Sequence, residues 1–335
     1  MKSRTIEDFF GDKLSSVEKW ESSREEIKNF FLDTEYGALP CELTYKTTKE
    51  SQPVNFAGKA EWEAVFFEFT NGEKFHTVRT ELILPKNKEN TPVFVYIDFS
   101  KETPSKYLPV EEILDGGFGI FKVYYEDVTT DNGDFENGLC ALFGKGDYGK
   151  ISVWSYMLRT MASYLDTKEG LGKYAVIGHS RLGKTAMLTA ALDTRFDLAC
   201  INNSGCCGAS LFHGKSEGNE KIKEITDVFP FWFTKGFKNL AGKEDTLPFD
   251  QHLLLGLIAP RSAVIGCARE DVWADNEGAF YCVAHAMRVW ELYNHTANKI
   301  LGHASAYIRE GSHFLSRYDW NVYMTKFKEL IDEFK

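Results

Sequence analysis

The pattern of hydrophobic and polar positions changes period along the chain, and each change predicts a different kind of element. Over residues 15–33, Val17, Trp20, Ile27, Phe30 and Phe31 fall on one side of a helical projection and charges on the other, which predicts an amphipathic helix. Strand-like runs follow at 41–48, 62–70 and 74–84, the last two reading as an antiparallel meander. From residue 92 the alternation stops. Residues 92–97 are nearly all apolar, and so are 118–124 after Gly116 and Gly117, as expected of strands buried on both faces of a parallel sheet. A loop rich in Asp, Asn and Gly over 126–150 leads to a helix at about 151–166, then a strand and a small-residue helix across 174–191. Short strands at 198–202, 262–267 and 306–309 alternate with a helix running to about 293 and a last one at 319–334. That alternation predicts an α/β class, with a mostly parallel central sheet between helical layers.

Residues 1–335 are expected to form a single domain, with the N-terminal helix and antiparallel strands inside 1–90. Residues 205–260 lack clean periodicity and predict a cap-like insertion beside the sheet. Most of the aromatics in its Phe229-Pro230-Phe231-Trp232-Phe233 run are expected to be ordinary packing.

Tyr174-Ala175-Val176-Ile177-Gly178-His179-Ser180-Arg181-Leu182-Gly183-Lys184-Thr185-Ala186 is a strand, a tight turn with a serine at its tip, and a helix. This is the plan of a nucleophile elbow, in which a strained turn lifts the serine hydroxyl clear of an α/β-hydrolase sheet. Such turns usually carry a glycine two residues after the serine, whereas here Leu182 stands there and Gly183 follows. The same residues spell a phosphate-binding string, Gly178-x-x-x-x-Gly183-Lys184-Thr185. A nucleotide hydrolase also wants a strand ending in a metal-holding Asp, and the one good candidate, Asp98, precedes the loop. The hydrolase order of Ser, acid and His is available downstream, and it is preferred.

A 335-residue chain that is 43% hydrophobic can bury a large core, and a net charge of −10 argues against nucleic acid or an anionic membrane as partner. The start of the chain has no apolar signal core, so a cytoplasmic location is expected. Seven cysteines, an odd number, fit a reducing compartment and buried thiols.

Ser180 needs a base to take its proton. Of eight histidines, His179 neighbours the serine but reads as structural, and His76, His213, His252, His285 and His295 lie in segments where packed or solvated rings are the plainer account. His303 and His313 both follow the acids, and His313, in a Gly-Ser-His turn directly after the last short strand, is preferred. Glu270, Asp271 and Asp275 cluster after the strand ending at Cys267. Asp271 is chosen for its place close to the strand end with Trp273 beside it, and Asp275 is its rival. Arg181 can reach a developing oxyanion or hold a substrate carboxylate, and the plain alternative is an ion pair with a local Asp.

The Gly178-His179-Ser180-Arg181-Leu182-Gly183-Lys184 stretch resembles the nucleophile motif of glucuronoyl esterases and their acetyl xylan esterase-like relatives. Supporting matches are Asn202-Asn203-Ser204-Gly205, the 229–233 aromatics, Asp250-Gln251-His252, Ala259-Pro260-Arg261, Glu270–Asp275 and Gly311-Ser312-His313, over about the last 190 residues. The resemblance implies an α/β-hydrolase fold and a serine carboxylesterase with no metal and no organic cofactor. Its triad falls on Ser180, Asp271 and His313, with Arg181 at the oxyanion. Lys184 and Trp273 would contact the sugar, and a cap glutamate, Glu220, would join them. The substrate implied is an ester on a decorated plant oligosaccharide, glucuronoyl or alternatively acetyl. Asn203 stands where many relatives carry their catalytic Glu, which moves the acid to Asp271 or a neighbour. A non-catalytic sugar-binding relative is the remaining alternative, set against by the complete triad.

Overall fold

The computed structural model describes residues 8–53, 56–86, 89–296 and 302–332. β1 (Thr44–Ser51), β2 (Ala60–Thr70), β3 (Phe75–Pro85), β4 (Thr91–Asp98), β5 (Gly119–Tyr124), β6 (Leu171–His179), β7 (Phe196–Asn202), β8 (Ser262–Ala268) and β9 (Ala304–Arg309) form one sheet, in the order β1-β2-β3-β5-β4-β6-β7-β8-β9. The first three strands and the β3–β5 pair are antiparallel, and every pair from β5–β4 to β8–β9 is parallel. The change of pattern at residue 92 is therefore the change from meander to parallel sheet.

β4 shows why its run is continuously apolar. Val93, Val95 and Ile97 enter one core with Trp154 and Met157, while Phe94 and Tyr96 enter the other with Trp320 and Phe327. Helices Lys150–Leu165, Arg181–Leu192 and Asn276–Thr296 cover the first face, and Val110–Asp115 and Arg317–Asp332 the second. Three layers result, as the alternation predicts.

The differences from the sequence reading have local causes. The strand expected at 41–48 is Thr44–Ser51, an edge strand exposed at every position, so no apolar alternation marks its ends. The first helix is Val17–Phe31, capped by Ser16, and it runs into a π-helical turn at Leu32–Tyr36. Phe30 leaves the buried stripe and lies on the surface with its ring 4.7 Å from that of Phe249. Residues 126–150 are not all loop, since Tyr125–Val128 and Gly138–Phe143 are short helices. The insertion holds two more, Ile222–Val228 and Gln251–Gly256. The last helix is Arg317–Asp332, and residues 333 and 334 of the expected span lie outside the described residues.

The π-helical turn buries Glu35 completely. Gln251 Nε2 donates to Glu35 Oε2 at 2.7 Å, Oε1 has no partner, and burial pushes the carboxyl up from its ordinary 4.5 to about 8. The unfolded chain thus loses this proton near pH 4.5 while the folded chain keeps it to about pH 8. Between those values the folded state holds more protons, so stability falls as pH rises, by up to about 1.4 kcal/mol per pH unit from this group. Glu35→Gln is expected to remove that slope. Urea unfolding of both proteins at the two ends of the window checks it, and parallel pH profiles would count against it.

Candidate active site

Four consecutive parallel strands bring the predicted residues to one edge. Ser180 follows β6, Asn203 follows β7, Asp271 lies just past β8 and His313 just past β9, all at the carboxyl ends where sheets of this kind place ligands. His303 precedes β9 and lies at the opposite end, its carbonyl accepting from Ala263 N–H at 3.1 Å.

Ser180 has φ 59° and ψ −126°, a conformation that non-glycine residues avoid and that persists where the surroundings over-determine it. Its N–H donates to Asn202 O at 2.9 Å, and its carbonyl accepts from Gly183 N–H at 2.9 Å, which starts the following helix. The two glycines are dictated by contact. A Cβ on Gly178 would lie 1.9 Å from Leu182 O, and one on Gly183 would lie 2.8 Å from Asn202 O. The close-packing glycine thus sits three residues after the serine, and Leu182 turns into the core.

His313 Nδ1 lies 2.5 Å from Asp271 Oδ2, the carboxylate being buried and the ring partly open to solvent. The two carrying loops are stitched together, Arg269 N–H to Arg309 O at 2.8 Å and Glu270 N–H to Gly311 O at 3.1 Å. Arg309 holds the histidine turn from below. It pairs with buried Asp319 at 2.8 Å and donates to the carbonyls of Ser312 and Phe314. Asp275 is engaged elsewhere: its carboxylate accepts from Ser210 Oγ at 2.8 Å, from Lys215 Nζ at 3.1 Å and from Gly278 N–H at 3.0 Å. Glu270 is exposed.

His179 points inward, donating from Nδ1 to Asn202 Oδ1 at 2.7 Å, with its ring 4.6 Å from that of His313. Burial, with the neighbouring His313 next in effect, pushes it down to about 3, so it stays neutral beneath the other ring. Asn203 donates to Phe314 O at 3.3 Å, and its buried Oδ1 has no partner.

Arg181 is in the ion pair named as the plain alternative, and the partner is Asp131. The other Asp131 oxygen accepts from Trp232 Nε1 at 2.7 Å. Trp232 stacks on Phe229 with ring centres 4.0 Å apart, and the guanidinium carbon lies 4.7 Å from Trp232 and 5.1 Å from Phe229. Two of the cap aromatics are therefore walls of an arginine cage. Its Nε–H is buried without a partner. Asp131 lies 50 positions from Arg181 in an unpatterned loop, and no sequence signal marks it.

Lys184 is buried, its ammonium bonded to Ser204 O and 4.0 Å from Glu220 Oε2. Glu220 N–H donates to Trp273 O at 3.0 Å, and the Trp273 side chain is half exposed. The three residues that the family resemblance assigns to the sugar are therefore linked to one another, beside the Asp271 loop. The rest of the phosphate-loop string is occupied differently. Thr185 donates to Arg181 O at 3.1 Å, while Asp98 accepts from Tyr96 and sits 3.5 Å from Lys122. Among the described residues, no group of three His, Cys, Asp or Glu side chains is placed to hold a metal.

Comparison with known proteins identifies the family and the fold. A family model described as glucuronyl esterase, fungi, matches residues 67–294. The chain is 29% identical over 374 aligned positions to carbohydrate esterase MZ0003 of an unknown prokaryotic organism, covering 94% of this chain and 86% of that protein. It is 30% identical to a 4-O-methyl-glucuronoyl methylesterase of Phanerochaete carnosa, over 84% of this chain and 69% of the other. The solved glucuronoyl esterase of Solibacter usitatus superposes with a TM-score of 0.82 at 26% identity, over 93% of each chain. This chain belongs to the glucuronyl esterase family and has its α/β-hydrolase fold.

Proposed function

We propose that this chain hydrolyses glucuronoyl esters carried by plant-derived oligosaccharides, with Ser180 as nucleophile, His313 as base and Asp271 as the acid that orients it. The observation that carries the reading is the His313–Asp271 contact at 2.5 Å, at the same sheet edge as the strained Ser180 turn. In this reading Ser180 Oγ attacks the ester carbonyl as His313 takes its proton. The imidazolium formed is stabilised by Asp271 and returns the proton to the departing alcohol. Water then repeats the sequence on the acyl-enzyme.

Negative charge builds on the carbonyl oxygen during attack. The backbone N–H of Arg181 and its unpartnered Nε–H are the donors available beside the nucleophile. Arg181→Ala is expected to lower kcat about a hundredfold on any ester, roughly the 3 kcal/mol that one such donor supplies. Asp131→Asn keeps the shape but loosens the guanidinium, so a fall of about tenfold is expected. In an Arg181→Ala background the second change should add nothing, and additive losses would show that Asp131 acts elsewhere.

Lys184, Glu220 and Trp273 form the proposed sugar site, with the exposed indole as a stacking face. Contacts to sugar oxygens exist in ground and transition states alike, so they lower KM more than they raise kcat. Lys184→Ala is expected to raise KM for benzyl glucuronate about tenfold and to leave p-nitrophenyl acetate hydrolysis unchanged. Equal losses on both would make the lysine a prop for the Ser204 carbonyl. Faster turnover of acetylated xylo-oligosaccharides than of glucuronate esters would shift the reading to an acetyl esterase.

A further inference from the structure

A cavity of about 770 Å³ lies apart from Ser180, Asp271, His313 and Trp273, none of which lines it. It opens between the 135–148 segment and the 226–238 part of the cap. Phe135 and Tyr148 line it from one side and Phe231 and Phe233 from the other. Its size falls within the roughly 300–1,000 Å³ of pockets that hold drug-sized ligands.

The polar groups of the cavity lining are largely committed to the protein. Tyr148 donates its hydroxyl to Gly144 O at 2.8 Å, Thr234 donates Oγ1 to Thr34 O and its N–H to Glu35 O, and Thr226 donates to Ile222 O. Aromatic residues make up four of the lining positions. The rim is cationic, with Lys145, Lys235 and Lys238. Among the described residues none of these three ammonium groups is in an ion pair, although the chain as a whole carries a net charge of −10. The rim acids are Glu136 and Asp147, and Asp147 already accepts from Lys235 N–H at 2.7 Å.

The cavity shares a wall with the catalytic site. Phe231 and Phe233 face it, while Trp232 between them turns the other way, to Asp131 and the Arg181 guanidinium. A ligand seated there lies across one aromatic ridge from the nucleophile. We infer that this cavity is a second, non-catalytic binding site for a uronate-bearing oligosaccharide. Sugar rings stack on the part-exposed Phe135 and Phe231, backed by buried Phe233, and a free carboxylate meets Lys235 and Lys238. The match is of charge and shape together: flat apolar faces suit pyranose rings, and unpaired lysines suit the carboxylate that a neutral sugar lacks. The choice of ligand rests on the reading that the substrate is a uronoyl-decorated oligosaccharide.

The test reads binding without turnover. The full chain carrying Ser180→Ala, Lys184→Ala and Trp273→Ala, which disables the reacting-sugar site, is titrated calorimetrically with a xylo-oligosaccharide bearing one free glucuronate. Parallel titrations use the unsubstituted xylo-oligosaccharide and a monocyclic aromatic acid. The acidic oligosaccharide should bind at one site, about tenfold or more tighter than the neutral one, and weaken as salt screens the rim. Adding Lys235→Glu and Lys238→Glu, both at exposed positions, should abolish the preference, and Phe231→Ala should weaken both sugars. No binding, equal affinity for charged and neutral sugars, indifference to the lysine changes, or tighter binding of the aromatic acid would each overturn the inference. Failure of the esterase reading itself would appear in the ester assays and leave this titration unchanged.

Discussion

Ser180→Ala is expected to lower ester hydrolysis by roughly four to six orders of magnitude, because the other parts of the site can orient an ester but supply no nucleophile. The fold should be untouched. The serine side chain makes no capping bond to the helix it precedes, and the bonds that fix the turn belong to its backbone. Alanine bears the same positive φ cost that serine already bears, so the strained turn gains no new strain. Matched unfolding curves with activity lost would tie the effect to the hydroxyl. Activity retained in the alanine variant would remove the serine mechanism.

The second large effect separates two aspartates four residues apart. Asp271→Asn should cost about four orders of magnitude in kcat, because an amide in that place favours the wrong imidazole tautomer and cannot stabilise the imidazolium. Asp275→Asn should act on stability instead. Its carboxylate and the Lys215 ammonium are both almost fully buried and 3.1 Å apart, and removing one charge of a buried pair typically costs about 3–5 kcal/mol. The prediction is therefore a crossed pair: a folded, inactive Asp271 variant and a destabilised Asp275 variant whose folded fraction turns over normally. Measuring kcat and the urea midpoint for both decides it. The reverse pattern would move the acid to Asp275.

Much of this was legible in the chain because parallel strands buried on both faces leave continuous apolar runs, and the elbow leaves a glycine-flanked serine. Ser180, Asp271 and His313 could be picked from their places after strands, without knowing how the strands pair. What the sequence did not carry were side-chain partnerships across loops. Asp131 under Arg181, Arg309 with Asp319 beneath the histidine turn, and Asn202 beneath His179 all depend on three-dimensional closure. Six-residue helices such as Val110–Asp115 and Gly138–Phe143 are too short for a 3.6-residue period to show. Phe30 falls on the apolar side of the helix by spacing, yet it meets a neighbouring cap ring at the surface. Nothing in Phe-Pro-Phe-Trp-Phe tells which rings face a cation, and Trp232 is one that does.

The central claim is that Ser180 attacks a glucuronoyl ester, and one experiment joins both halves of it. Wild type is incubated with a serine-directed fluorophosphonate in the presence and absence of excess benzyl glucuronate, and the modified residue is located by peptide mass spectrometry. The account predicts labelling at Ser180, slowed by benzyl glucuronate and accompanied by loss of its hydrolysis. Labelling at another residue, or full glucuronate hydrolysis by protein quantitatively labelled at Ser180, would contradict it.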